Sequence, residues 1–151
     1  MTHHLAQLNI GRMLAAIDDP IMAEFVANLD RINALADGAS GFVWRLQSDS
    51  GNATEFRPFA DEMLIVNMSV WESLETLKDY VYKSAHAEIM RNRRQWFEKM
   101  DEVFTVLWWI PAGTIPTVEE AKARLESLRQ HGETPYAFSF RRSFASEIDS
   151  K

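Results

Sequence analysis

The sequence predicts an α+β fold in the order βαββαβ, extended by one more helix and a tail. Three observations carry this. Four short segments either alternate apolar and polar residues or run β-branched and aromatic, as strands do. The segments after the first and third strands carry apolar residues at helical spacing. The third strand is apolar on both faces, so a sheet built around it needs cover on both sides.

In Leu5 to Ile10, Ala6, Leu8 and Ile10 share one face, and Leu5, Gln7 and Asn9 share the other. Asp18, Asp19 and Pro20 form a helix start, an acidic cap followed by proline in the first turn. Met22, Phe25, Val26, Leu29, Ile32 and Ala36 make that helix's stripe, and Asp37–Gly38 ends it. Phe42 to Leu46 reads as the second strand, with Phe42, Trp44 and Leu46 on one face. Residues 47–60 are polar, contain Gly and Pro, and read as a long hairpin loop. Met63 to Trp71 is the third strand: Leu64, Val66, Met68 and Val70 face one way, Met63, Ile65, Asn67, Ser69 and Trp71 the other.

Ser73 can cap a short helix with Leu74, Leu77 and Val81 on its apolar side. A longer helix is expected from about Ser84 to Met100. Val103 to Ile110 is the fourth strand, with Trp108 and Trp109 on opposite faces. Pro111, Gly113 and Pro116 break it, and Thr117 with Glu120 forms a capping box. Val118, Ala121, Leu125 and Leu128 stripe the last helix, which Gly132 ends. Tyr136, Phe138 and Phe140 alternate in a short terminal strand or arm, expected to dock rather than expose three rings. The order describes a ferredoxin-like split βαβ, one domain over 1–151 with its core at about 4–112 and the added helix and tail at about 117–145. Helices cover one face of such a sheet. The two-sided third strand therefore points to a homodimer packed through the other.

Composition narrows the function classes. Sixteen Lys and Arg against 22 Asp and Glu leave a net charge of −6, which disfavours nucleic acid and anionic membrane surfaces as partners. With no cysteine, thiolate metal sites and thiol nucleophiles are out. No basic region followed by an apolar run opens the chain, and no stretch approaches the roughly 20 apolar residues that span a bilayer, so a cytoplasmic location is expected. The sequence holds no G-x-S-x-G, P-loop, H-E-x-x-H or carboxylate-rich metal spacing.

Chemistry concentrates in Tyr82 to Phe97, YKSAHAEIMRNRRQWF. On a helix, His86, Met90, Arg93 and Phe97 would line one face, placing a titratable ring and a guanidinium in an apolar stripe. A pocket wall has that pattern, and so does a helix edge over which an arginine stem lies. Asn67 and Ser69 interrupt an otherwise apolar strand, as Gln7 and Asn9 do on the first. Such amides either serve a ligand or satisfy one another.

Several motifs run the length of the chain: HLAQLNIGR at the start, W-x-S-x-E-x-L at Trp71–Leu77, and S-x-H at Ser84–His86. RRQWF at 93–97, WWIPAG at 108–113 and P-T-x-x-E-A at 116–121 complete the set. In these the chain resembles a bacterial domain-of-unknown-function family of the dimeric α/β-barrel superfamily, the antibiotic-biosynthesis-monooxygenase-like proteins. The resemblance implies a homodimer of ferredoxin-like sheets. Cofactor-free monooxygenases of that superfamily are similar in a strand Asn four residues before a Trp, matched by Asn67 and Trp71. They also use a Tyr and an Arg, for which Tyr80 or Tyr82 and Arg91, Arg93 or Arg94 are the counterparts. Haem-degrading members are similar in an Asn, Trp and His trio, matched in order by Asn9, Trp71 and His86, with a longer Trp-to-His interval here.

What this implies is a small-molecule protein. The first reading is a cofactor-independent monooxygenase-like or isomerase-like enzyme for an aromatic or polyketide-type substrate. Trp71, Trp44 and Phe97 would sandwich the ligand, and Asn67 and His86 would hydrogen-bond its oxygens. Asn9, Tyr82, Met90 and Arg93 complete the expected wall. The other readings are a binding or sensor module without turnover, and a haem-binding or haem-degrading protein using His86.

Overall fold

The structure is a computed structural model of the 151-residue chain, and it describes residues 2–47, 63–83, 91, 93–99 and 103–146. The elements are β1 (His3–Arg12), a 3-10 turn (Pro20–Met22), α1 (Ala23–Asp37), β2 (Phe42–Arg45), β3 (Leu64–Trp71), α2 (Leu74–Lys83), a second 3-10 turn (Arg93–Gln95), β4 (Thr105–Pro111) and α3 (Val118–His131). The four strands form one sheet in the order β2-β3-β1-β4, with every neighbour antiparallel. That is the ferredoxin-like split βαβ arrangement. Most of the hairpin loop expected at 47–60 lies outside the described residues.

Local chemistry explains the helix starts. Asp19 Oδ1 accepts the Ile21 N–H at 3.0 Å, and Pro20 occupies a first-turn position where no donor is needed. Ser73 Oγ accepts the Thr76 N–H at 3.2 Å ahead of α2. Thr117 Oγ1 accepts the Glu120 N–H at 3.1 Å and starts α3.

The strand alternation sorts the sheet into two differently covered faces. Leu5, Trp71 and Leu107 lie on the side of α1 and α2, packed with Ala36 and Leu77. Ala6, Leu8, Ile10, Val66, Met68, Val70, Val106, Trp108 and Ile110 occupy the other side, none more than 5 % exposed. Ala121, Leu125 and Leu128 of α3 pack on that second face. The cover expected from a partner's sheet is thus supplied within the chain, and the two-sided pattern of β3 is no argument for a dimer. Ile65, on the α1 side, packs with Met13, Met22 and Trp96.

Two expectations are corrected. Phe42, Trp44 and Leu46 do not share one face. The β2–β3 register shifts between Phe42 and Trp44. Phe42 packs edge-on against Trp71 at 5.5 Å on the α1–α2 side, whereas Trp44 and Leu46 join the core under α3. Nor does one helix run from Ser84 to Met100. Arg93–Gln95 is a 3-10 turn, and Phe97 forms an isolated antiparallel bridge with Met13. The end of β1 draws the segment alongside itself: Leu14 N–H donates to Trp96 O at 2.8 Å, and Glu98 N–H to Arg12 O at 2.9 Å.

The tail is docked. Phe138 is fully buried and exchanges two backbone hydrogen bonds with Leu107, so it covers the free edge of β4. Trp109 Nε1–H donates to Phe144 O at 2.7 Å, holding Phe144 on the α2 side.

Candidate functional site

Between the sheet and the α1–α2 layer lies a cavity of about 660 Å³. Such a layer interface is ordinarily apolar. Here the middle of the sheet presents polar residues in register. Gln7 stands opposite Ser69, and Asn9 stands between Asn67 on one side and Thr105 on the other. All five line the cavity. Buried polar groups without partners are costly, and Gln7, Asn67 and Ser69 partner one another. Gln7 Nε2 donates to Asn67 Oδ1 at 2.7 Å and to Ser69 Oγ at 2.8 Å, and Trp71 Nε1–H also donates to Ser69 Oγ at 2.8 Å. Gln7 and Ser69 are buried, while Asn67 is the exposed residue in the middle of β3.

The walls come from four places. Phe25, Leu29 and Ile32 project from α1, and Leu77, Tyr80 and Val81 from α2. Trp96 and Phe97 close the end near Gly11, and Phe140 enters from the tail, edge-on to Tyr82 at 5.7 Å. Phe97 lies so close to β1 that a Cβ on Gly11 would sit 2.9 Å from its ring, so the glycine permits the contact. Phe25 meets Phe97 edge-to-face at 5.0 Å.

Trp71 and Tyr80 stack at 5.0 Å, and the Tyr80 hydroxyl donates to Ile32 O at 3.1 Å, tying α2 to α1. Burial pushes the Tyr80 hydroxyl well above its ordinary range; nearby Arg45 opposes that shift and Asp37 adds to it. Arg45 itself is held by Asp37 at 2.8 Å.

Arg93 lies with its guanidinium 4.6 Å over the Phe104 ring, and desolvation, then Arg94, lowers its pKa. Arg45, Arg91 and Arg93 reach the cavity, and no carboxylate is among the described lining residues. In a chain of net charge −6, this wall is positive and donor-rich.

The residues singled out in the sequence fall into three groups. Asn9, Asn67, Tyr82, Arg93 and Phe97 line the cavity. Trp71 lines it too but is fully buried, with one ring neighbour in Tyr80, another in Phe42 and its N–H spent on Ser69, so it buttresses the floor and has no face to offer a ligand. Trp44 is on the far side of the sheet, which removes it from any sandwich. His86 and Met90 lie outside the described residues. The α1 wall and Arg45 were not legible as site residues, because an amphipathic stripe and an arginine on an edge strand carry no mark of a cavity.

No curated protein matches the sequence. Among solved structures, similarity extends to a variant of SnoaB, a cofactor-independent oxygenase from Streptomyces nogalater, with TM-score 0.49, 14 % identity, 74 % of this chain and 95 % of that one covered. It extends to NE2512, a protein of unknown function from Nitrosomonas europaea, with TM-score 0.49, 13 % identity and 77 % and 97 % covered. A candidate antibiotic biosynthesis monooxygenase from Chloroflexus aurantiacus J-10-fl gives TM-score 0.46, 16 % identity and 75 % and 97 % covered. From residue 4 to residue 151 the sequence matches the domain of unknown function DUF3291, and the chain belongs to that family.

Proposed function

We propose that the cavity binds a small, flat, oxygen-bearing organic molecule, and that the protein is a cofactor-independent monooxygenase-like enzyme for an aromatic or polyketide-type substrate. The observation that carries this is the amide floor: a polar row on a sheet face that is otherwise packed, opening into an apolar cavity with no carboxylate among the described lining residues. Apolar walls with a few convergent polar groups suit a planar ligand. Phe97 and Phe25 offer ring surface. Asn67 hydrogen-bonds the ligand's oxygen, and Asn9 lies beside it. Arg93 favours a negative charge developing there, which lowers the cost of forming an enolate or phenolate. Once its proton has passed to solvent, such an electron-rich anion can hand an electron to dioxygen itself, so the protein need only bind the anion and shield it. His86 is assigned to the same site as a second group on the ligand's oxygens, and Trp71 acts through Ser69. The described lining residues come from one chain and leave Asn67 exposed, and the homodimer belongs to this proposal as assembly.

The test is oxygen uptake with dihydroxynaphthalenes, wild type against Asn67→Ala. Uptake above buffer that falls in the variant supports the enzyme. Saturable binding without uptake across the panel selects the alternative, a binding or sensor module built on the same floor. Haem as ligand rests on His86, and a Soret band lost in His86→Ala is its test.

A further inference from the structure

The hydrogen bonds of the floor assign a direction to its donors and acceptors. Ser69 Oγ receives two hydrogen bonds at 2.8 Å, from Trp71 Nε1 and Gln7 Nε2, which fills both of its acceptor positions. Its own hydrogen remains to be given. Asn67 Oδ1 receives the other Gln7 Nε2 hydrogen at 2.7 Å, which turns the Asn67 NH₂ away from Gln7 and leaves it to donate. Asn67 is exposed within the cavity lining, so that NH₂ is within reach of a ligand. Gln7 is only 7 % exposed and clamped between two partners, so its orientation sets that of Asn67.

We infer that Gln7 is a positioning and specificity residue that fixes the Asn67 amide with its N–H groups toward the ligand, so that the site selects molecules presenting an acceptor, a carbonyl or a deprotonated hydroxyl, and rejects those presenting a donor. This rests on the cavity being a ligand site, as proposed above. A carboxylate at position 7 reverses the logic. Glutamate can only accept when ionised, so Asn67 must donate to it and turn Oδ1 to the cavity. An aspartate at position 67 has the same effect by another route: one oxygen still accepts from Gln7, and the other offers the ligand an acceptor where the amide N–H had been.

Three planar tricyclic probes of near-equal shape separate the outcomes: 9-fluorenone presents only an acceptor, carbazole only a donor, and fluorene neither. Binding is followed by isothermal titration with wild type, Gln7→Glu and Asn67→Asp. Wild type should favour fluorenone over carbazole by about tenfold, as for one neutral hydrogen bond gained against one buried donor left unpaired. Asn67→Asp and Gln7→Glu should each invert that preference. Should Gln7→Glu fail to fold, Asn67→Asp decides, because position 67 is exposed. In wild type, a shift of the Asn67 side-chain amide cross-peak with fluorenone and not with carbazole gives a second readout. Equal binding of all three probes to wild type overturns the inference while leaving the cavity reading intact. A preference for fluorenone that survives both substitutions overturns it as well. No binding of any probe rejects the cavity reading, and the inference with it.

Discussion

Replacing Gly11 with alanine probes how the cavity's end wall is held. The added Cβ would lie 2.9 Å from Phe97 Cδ1 and 3.1 Å from Cε1. An unstrained carbon–carbon contact needs about 3.5–4.0 Å, so the ring must retreat by roughly 1 Å. It has little room. The Phe97 backbone is bridged to Met13, its N–H donates to Arg93 O at 2.8 Å, and Phe25 packs edge-on against the ring at 5.0 Å. Overpacking of this kind costs about 1–3 kcal/mol. For a chain of this size that lowers the melting temperature by about 2–4 °C per kcal/mol. Urea unfolding followed by tryptophan fluorescence measures it, since Trp96 sits beside the contact. A double-mutant cycle isolates the cause: in a Phe97→Ala background the same Gly11→Ala change should cost less than about 0.5 kcal/mol. A Gly11→Ala protein as stable as wild type, or a cost unchanged by removing the Phe97 ring, would refute the claim that this ring rests on β1.

Three further outcomes are expected. Burial raises the Tyr80 pKa above its ordinary 10.0, so folding is favoured by the neutral phenol, and that contribution is full below about pH 10 and lost as pH rises further; Tyr80→Phe should flatten the alkaline decline in stability, and an identical decline would count against it. Ile65→Asp should destabilise the chain by several kcal/mol at every protein concentration, because Ile65 packs with Met13, Met22 and Trp96; a cost that grows on dilution would instead place it in a subunit interface. Phe138→Ala should cost about 3–5 kcal/mol, and truncation after Gly132 more, since Phe138 is fully buried on the β4 edge; a truncated chain with the full chain's melting curve would mean that the tail does not dock there.

How far the sequence carries is seen in particular residues. Alternation along β1 and β3 correctly separates Ala6, Leu8 and Ile10 from Gln7 and Asn9, and Val66 and Met68 from Asn67 and Trp71. It does not say which face meets α1 and α2, because period two is symmetric between faces. The capping box at Thr117 marks where α3 begins, but its seat on the second face depends on contacts with residues more than 100 positions earlier. The bulge that sends Phe42 and Trp44 to opposite sides follows Gly41, whose φ is 82°, but in the sequence that glycine reads as an ordinary turn residue and does not mark a bulge. The turn at Arg93–Gln95 likewise follows from backbone pairing with Arg12 and Leu14, not from helix propensity. The amides of the floor were legible as polar interruptions of apolar strands. Their direction was not, since it depends on cross-strand register, which no single strand encodes.

The most direct measurement is titration of 9-fluorenone into wild type and Asn67→Ala, with the urea midpoint of each protein recorded alongside. If the amide floor is the ligand site, fluorenone binds wild type saturably and the alanine variant about tenfold more weakly or not at all, while folding stability changes by less than about 1.5 kcal/mol. Undiminished binding to the variant, or a large loss of stability with binding retained, would contradict it and make Asn67 a structural residue of the sheet.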